Sequence, residues 1–133
     1  MSKRVLLIDD EADVHELVRL MLEKNDYDVL AVFTANEALR MVNEEKVDLI
    51  LLDLRLPGMP GQDLLRILKR TRNTVDIPVI ILTALEEKEA GLGCMNEGAV
   101  AYIQKPFAKK LLLREIQRCL EGKDLPTSTG TSG

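Results

Sequence analysis

The stretch Val47-Asp48-Leu49-Ile50-Leu51-Leu52-Asp53-Leu54-Arg55-Leu56-Pro57-Gly58 constrains the fold of this chain more than any other. An apolar run too short for a buried helix ends in one carboxylate and then breaks into a Pro-Gly turn. That pattern predicts a strand covered on both faces, with Asp53 at its C-terminal end. In an open α/β sheet, ligands sit outside the carboxyl ends of the strands. Asp53 is therefore the first residue to suspect of chemistry.

Similar runs recur along the chain. Arg4 to Ile8 predicts a first strand ending at Asp9-Asp10, Tyr27 to Phe33 a second, and Val47 to Asp53 the third. Ile77 to Thr83 predicts a fourth and Ala99 to Gln104 a fifth. Between strands the apolar period becomes helical. Glu11 to Asn25 carries Val14, Leu17, Val18, Met21 and Leu22 on one stripe. Thr34 and Glu37 form a capping-box pattern ahead of a helix over Ala35 to Glu45. A third helix is expected from about Gln62 to Arg72, with Leu64, Leu65, Ile67 and Leu68 in helical period. A fourth is expected from Glu86 to Glu97, weakened by Gly91 and Gly93. Each glycine costs ~1 kcal/mol against alanine, which makes this helix a candidate mobile element. The fifth spans Phe107 to Leu120, with Leu111, Leu112, Ile116, Cys119 and Leu120 as its inner face, and stops at Gly122.

Strands alternating with helices through short loops predict an α/β fold, a doubly wound five-stranded parallel sheet with helices on both faces. The order 2-1-3-4-5 is taken from the flavodoxin-like fold class. One domain is expected over 1–122, with 123–133 as a flexible tail or linker stub rich in Thr, Ser and Gly.

A chain of 133 residues with 46% hydrophobic residues can bury a core without staples. Its net charge of −4 and 3% aromatic content argue against direct nucleic-acid binding. No run approaches the roughly 20 apolar residues of a membrane span, and the run after Arg4 is too short for a signal peptide. A cytoplasmic location is expected, with Cys94 and Cys119 as reduced thiols.

If the first and third strands are neighbours, Asp9, Asp10 and Asp53 meet at one sheet edge. Such carboxylates repel by ~1 kcal/mol per pair in water and by more when partly buried. A hard divalent cation would relieve them, and Mg²⁺ commonly bridges carboxylates to a phosphate. Thr83, ending the fourth strand, and Lys105, ending the fifth, fall at the same edge. A hydroxyl and an ammonium beside a cation-bound carboxylate suit phosphoryl transfer, with Asp53 as nucleophile.

From Lys3 to about Gly122 the sequence resembles the receiver (phosphoacceptor) domain of two-component response regulators. The resemblance rests on Asp9-Asp10, on Asp53 with Leu56-Pro57-Gly58-Met59-Pro60-Gly61 after it, on Thr83-Ala84, and on Lys105-Pro106-Phe107. It implies that Asp53 is the phosphoacceptor, phosphorylated by a sensor histidine kinase or a phosphotransfer protein. It implies Mg²⁺ held by Asp10 and Asp53, by Asp9 through water, and by the backbone carbonyl of Arg55. Thr83 and Lys105 would each meet a phosphoryl oxygen, and Tyr102 would be the switch aromatic that follows Thr83. The face made by the fourth helix, fifth strand and fifth helix would carry the output, to an effector or to a second copy in a homodimer. The domain would catalyse only its own phosphotransfer and dephosphorylation.

Other residues carry plainer expectations. His15 is the sole histidine and is expected to be an exposed helical residue. Lys109, Lys110, Arg114 and Arg118 are expected to form a solvated face. Gly58 and Gly61 lack Walker spacing and read as turn residues. An aspartate-dependent phosphohydrolase usually needs a general acid two residues after the nucleophile, where Arg55 stands, and a cap domain for which the chain has no room. A flavin module is opposed by the acidic edge.

Overall fold

The computed structural model describes residues 2–121, apart from the Leu85 side chain; the expected helix stop at Gly122 and the tail at 123–133 lie outside the described residues. The elements alternate along the chain: β1 (Arg4–Ile8), α1 (Ala12–Glu23), β2 (Asp28–Val32), α2 (Ala35–Glu44), β3 (Leu49–Asp53) and α3 (Gly61–Arg70). β4 (Val79–Thr83), a 3-10 turn (Leu85–Glu87), α4 (Lys88–Asn96), β5 (Ala101–Gln104) and α5 (Lys109–Glu121) complete the order. The sheet is five-stranded and parallel, in the order β2-β1-β3-β4-β5. This is the doubly wound architecture expected.

Side-chain alternation along each strand divides the core in two. Leu6, Ile8, Ile50, Leu52 and Ile81 pack with Ala38 of α2, Leu64, Leu65 and Leu68 of α3, and Cys94 of α4. Val5, Leu7, Leu49, Leu51, Ile80 and Leu82 pack with Val18 and Leu22 of α1 and with Leu112 and Ile116 of α5. Each fully buried Leu or Ile contributes about 1.5–3 kcal/mol of transfer free energy. The central strands are therefore held from both sides.

Local chemistry fixes several element ends. Thr34 accepts from the Glu37 N–H at 3.1 Å, and Glu37 accepts from the Thr34 N–H at 3.2 Å, so the capping box starts α2. Gly61 opens α3 directly against the end of β3. A Cβ there would sit 2.6 Å from the Asp53 carbonyl oxygen and from Leu54 Cα, so only glycine fits.

Three expectations need correction. His15 is buried, not exposed, because it lies on the α1 stripe with Val18 and Leu22. Leu111 is exposed; of the expected inner face of α5, Leu112 and Ile116 are buried and Cys119 and Leu120 pack against the core. The fourth helix begins as a 3-10 turn, and its α-helical part starts only at Lys88. Ile67, although in helical period on α3, is 38% exposed. Lys109, Lys110, Arg114 and Arg118 face solvent.

Candidate functional site

The strand registers bring the carboxyl ends level. Ile8 pairs with Leu52, Asp53 with Leu82, and Thr83 with Gln104. Asp9 leaves β1 buried, Asp10 is exposed, and Asp53 closes β3 buried. One carboxylate oxygen from each of the three lies within 4.8 Å of the others. These acids, far apart in the chain, meet because β1 and β3 are neighbours.

Lys105, just past β5, reaches across the cluster. Its Nζ donates to Asp9 Oδ2 at 2.7 Å and to Glu11 Oε1 at 3.1 Å, and lies 3.4 Å from Asp53 Oδ2. The backbone holds the acids too. Asp9 Oδ1 accepts from the Glu11 N–H at 2.9 Å, and Asp53 Oδ1 accepts from the Arg55 N–H at 3.2 Å. Lys105 is fixed in turn by its own N–H, which donates to the Thr83 carbonyl at 2.7 Å.

The charges do not balance. Asp9, Asp10, Glu11 and Asp53 crowd one ammonium. Burial, and then the charge of Asp9, raise the Asp53 carboxyl to about 6; the Arg55 N–H and Lys105 hold it from rising further. Burial works against the Lys105 ammonium, but the Asp9 hydrogen bond and charge, with Asp53 and Glu11, outweigh it and raise its pKa. Hard oxygen donors with residual negative charge fit a small divalent cation such as Mg²⁺. The cluster opens into a cleft of about 610 Å³, lined by Asp10, Asp53, Arg55, Ala84, Lys105 and Phe107 among others.

Thr83 and Tyr102 lie elsewhere. Continuing the alternation, Asp9, Asp53 and Lys105 fall on the α1/α5 face with Leu7, Leu51 and Ile103, whereas Thr83 follows Ile81 onto the α4 face. The buried Thr83 hydroxyl donates to the Glu87 carbonyl at 3.1 Å in the 3-10 turn, and lies 3.3 Å from the Ala84 carbonyl. Tyr102 packs on the same face. Gly91 of α4 sits against both: a Cβ there would be 3.1 Å from Thr83 Cγ2 and 3.3 Å from Tyr102 Cδ1. The helix-weakening glycine thus has a packing reason that composition alone did not reveal. Strand parity could have separated Thr83 from the acids in advance.

Sequence reasoning also missed His15. Its Nε2 lies 2.7 Å from the Asp9 carbonyl oxygen, and its ring stacks on Phe33 with centroids 4.2 Å apart. The signal was its spacing to Val18 and Leu22. Among the described residues, no helix is long and apolar enough to cross a membrane.

A family model described as "Response regulator receiver domain" matches residues 5–117. The phosphate regulon transcriptional regulatory protein PhoB of Klebsiella pneumoniae is 40% identical over 117 residues, covering 88% of this chain and 51% of that protein. Its namesake in Pseudomonas aeruginosa is 39% identical over 120 residues, covering 90% and 52%. The chain thus spans about half the length of these relatives. Among solved structures, the chemotaxis response regulator CheY4 of Vibrio cholerae superposes with a TM-score of 0.83 at 26% identity, covering 90% of this chain and 100% of that one. The receiver domain of a Pseudomonas aeruginosa sensor histidine kinase, solved with a magnesium ion coordinated in its active-site cleft, gives 0.82 at 29% identity, covering 91% and 99%. With sheet order, strand-end acids and sequence all in agreement, this chain belongs to the response regulator receiver domain family, the phosphorylation-dependent regulatory domains of two-component systems.

Proposed function

We propose that Asp53 accepts a phosphoryl group from a sensor histidine kinase or a phosphotransfer protein, and that the phosphorylated domain signals through the face made by α4, β5 and α5. The observation that carries this reading is the Asp53 carboxylate itself. It is buried at a strand end, 3.4 Å from the Lys105 ammonium, with Asp9 and Asp10 oxygens close enough to share one ion.

A carboxyl with a pKa of about 6 is ionised in roughly nine molecules of ten at pH 7. A bound cation would favour the ionised form further, so the carboxylate is the form that attacks phosphorus. In the transfer, an Asp53 carboxylate oxygen bonds to phosphorus as the bond from phosphorus to the donor imidazole nitrogen breaks. The electron pair stays on that nitrogen. Water later attacks the acyl phosphate, returning the carboxylate and releasing inorganic phosphate. Both steps belong to the domain's own cycle.

Asp10, Asp53 and the Arg55 carbonyl would hold Mg²⁺, with Asp9 in support. When bound, the ion would offset the charge of the carboxylates and of the incoming phosphoryl group. Lys105, freed from part of its contact with Asp9 and Glu11, pairs with one phosphoryl oxygen. Thr83 has one hydroxyl proton, now given to Glu87. Redirecting it to a phosphoryl oxygen releases the 3-10 turn and shifts the Thr83–Gly91–Tyr102 contact. Leu92, Met95, Val100 and Leu111 leave apolar surface exposed around this side of the molecule, which supports an effector or a second copy as partner. We place the domain in the cytoplasm, over residues 1–122 with a short tail or linker after it, and infer no nucleic-acid contact by the domain itself.

Incubation with acetyl phosphate and Mg²⁺, followed by intact mass measurement, tests this. One phosphoryl adduct is expected on the parent chain and none on Asp53→Asn. An adduct that persists in Asp53→Asn overturns the assignment.

A further inference from the structure

His15 lies in the first turn of α1 and is 9% exposed. Its Nε2 is 2.7 Å from the carbonyl oxygen of Asp9. A carbonyl oxygen can only accept, so the imidazole presents Nε2–H to it. On its other side the ring stacks on Phe33, at 4.2 Å between centroids and 28° between planes. Phe33 follows β2 and is itself 44% exposed. The residue after β2 thus backs a side chain of the first turn of α1, and that side chain meets the peptide group at the end of β1.

That peptide group joins Asp9 to Asp10. It is planar, so holding its oxygen fixes the tilt of the plane. The tilt sets the directions in which both Cα atoms carry their side chains. We infer that His15 is a positioning residue for the cation site: it holds the Asp9–Asp10 peptide so that both carboxylates converge with Asp53, and Phe33 holds the His15 ring. The inference rests on the reading of Asp9, Asp10 and Asp53 as a Mg²⁺ site. It concerns the Nε2–H donor, not the charge of the ring.

Calorimetric titration with Mg²⁺ tests it, with circular dichroism confirming that each variant is folded. His15→Ala should weaken Mg²⁺ affinity by about tenfold, in line with the loss of an outer partner of a metal ligand. His15→Gln keeps an N–H donor and should recover most of that loss. Phe33→Ala should show a smaller loss, non-additive with His15→Ala. If His15→Ala folds poorly, His15→Gln and His15→Met make the same comparison, being close in bulk and differing in the donor. A long-range proton–nitrogen spectrum of the parent chain should show a protonated Nε2. Parent-like affinity in folded His15→Ala or His15→Met overturns the inference, as does a His15→Gln variant no better than His15→Ala. A parent chain that binds no Mg²⁺ overturns the cation-site reading and this inference with it.

Discussion

The carboxyl edge of the sheet has two faces, and they are built differently. On the α1/α5 face, Asp9, Asp53 and Lys105 are locked by each other and by the backbone, on strands such as β3 that are buried at every residue. On the α4 face, Thr83 and Tyr102 meet a helix through a glycine, and β5 buries only Ile103. The first face stores unrelieved charge on a rigid frame. The second has a hydroxyl committed to one turn and a thin strand beside it. A fold that traps charge on one face and leaves slack on the other has the parts of a switch.

If the acid face is charge-trapped, removing its cation should have the largest effect. Lys105→Met should destabilise the Mg²⁺-free protein by roughly 3 kcal/mol, because buried carboxylates lose their partner. Added Mg²⁺ should restore more stability in this variant than in the parent. Urea unfolding in EDTA and in MgCl₂ reads both.

Asp53→Asn should act in the opposite direction. The folded Asp53 carboxyl, at about 6, lies above its ordinary 3.8. The native state therefore holds the proton more tightly than the unfolded chain. That contribution is complete below the unfolded value and is lost as pH rises through about 6. At pH 7 the buried charge is a net cost on the order of 2–3 kcal/mol. In EDTA, Asp53→Asn should gain stability over the parent between pH 4 and 7 and little below pH 4. A flat difference across that range would break the charge-trap half of the comparison.

Thr83→Val probes the other face. It should cost about 1 kcal/mol by leaving the Glu87 carbonyl without its donor. Mg²⁺ affinity should be unchanged, because Thr83 does not touch the acids; a large loss would merge the two faces into one. The smallest effects are in α4. Gly93, with nothing within 4 Å of an added Cβ, should gain up to about 1 kcal/mol on change to Ala. Gly91→Ala should gain less, because its Cβ presses on Thr83 and Tyr102. Thermal midpoints of the two variants compare them.

Much of this was legible in the residues. The apolar runs before Asp9, Asp53 and Thr83 read as strands because both faces of a parallel sheet are covered, so no alternation obscures them. Thr34 and Glu37 read as a helix start because the capping box is a local device. What escaped depends on partners distant in sequence. Strand order follows from packing, not periodicity, and came from the fold class. His15 reads as exposed from its place in the first helix, away from the strand ends, although its spacing to Val18 and Leu22 puts it inward; its partners, the Asp9 carbonyl and Phe33, belong to other elements. On the fifth helix only Leu111 departs from the inner face read in the sequence, because consecutive leucines fit that stripe almost equally well. Gly91 looked like a weakness because its contacts are with β4 and β5.

The most direct test of the account is the urea midpoint of the protein as Mg²⁺ is added at pH 7. The midpoint should rise and saturate as one site fills, stay as responsive in Thr83→Val, and lose the response in Asp10→Asn with Asp53→Asn. A midpoint indifferent to Mg²⁺, or a rise that survives the loss of both carboxylates, would contradict the gathering of these strand-end acids into one cation site.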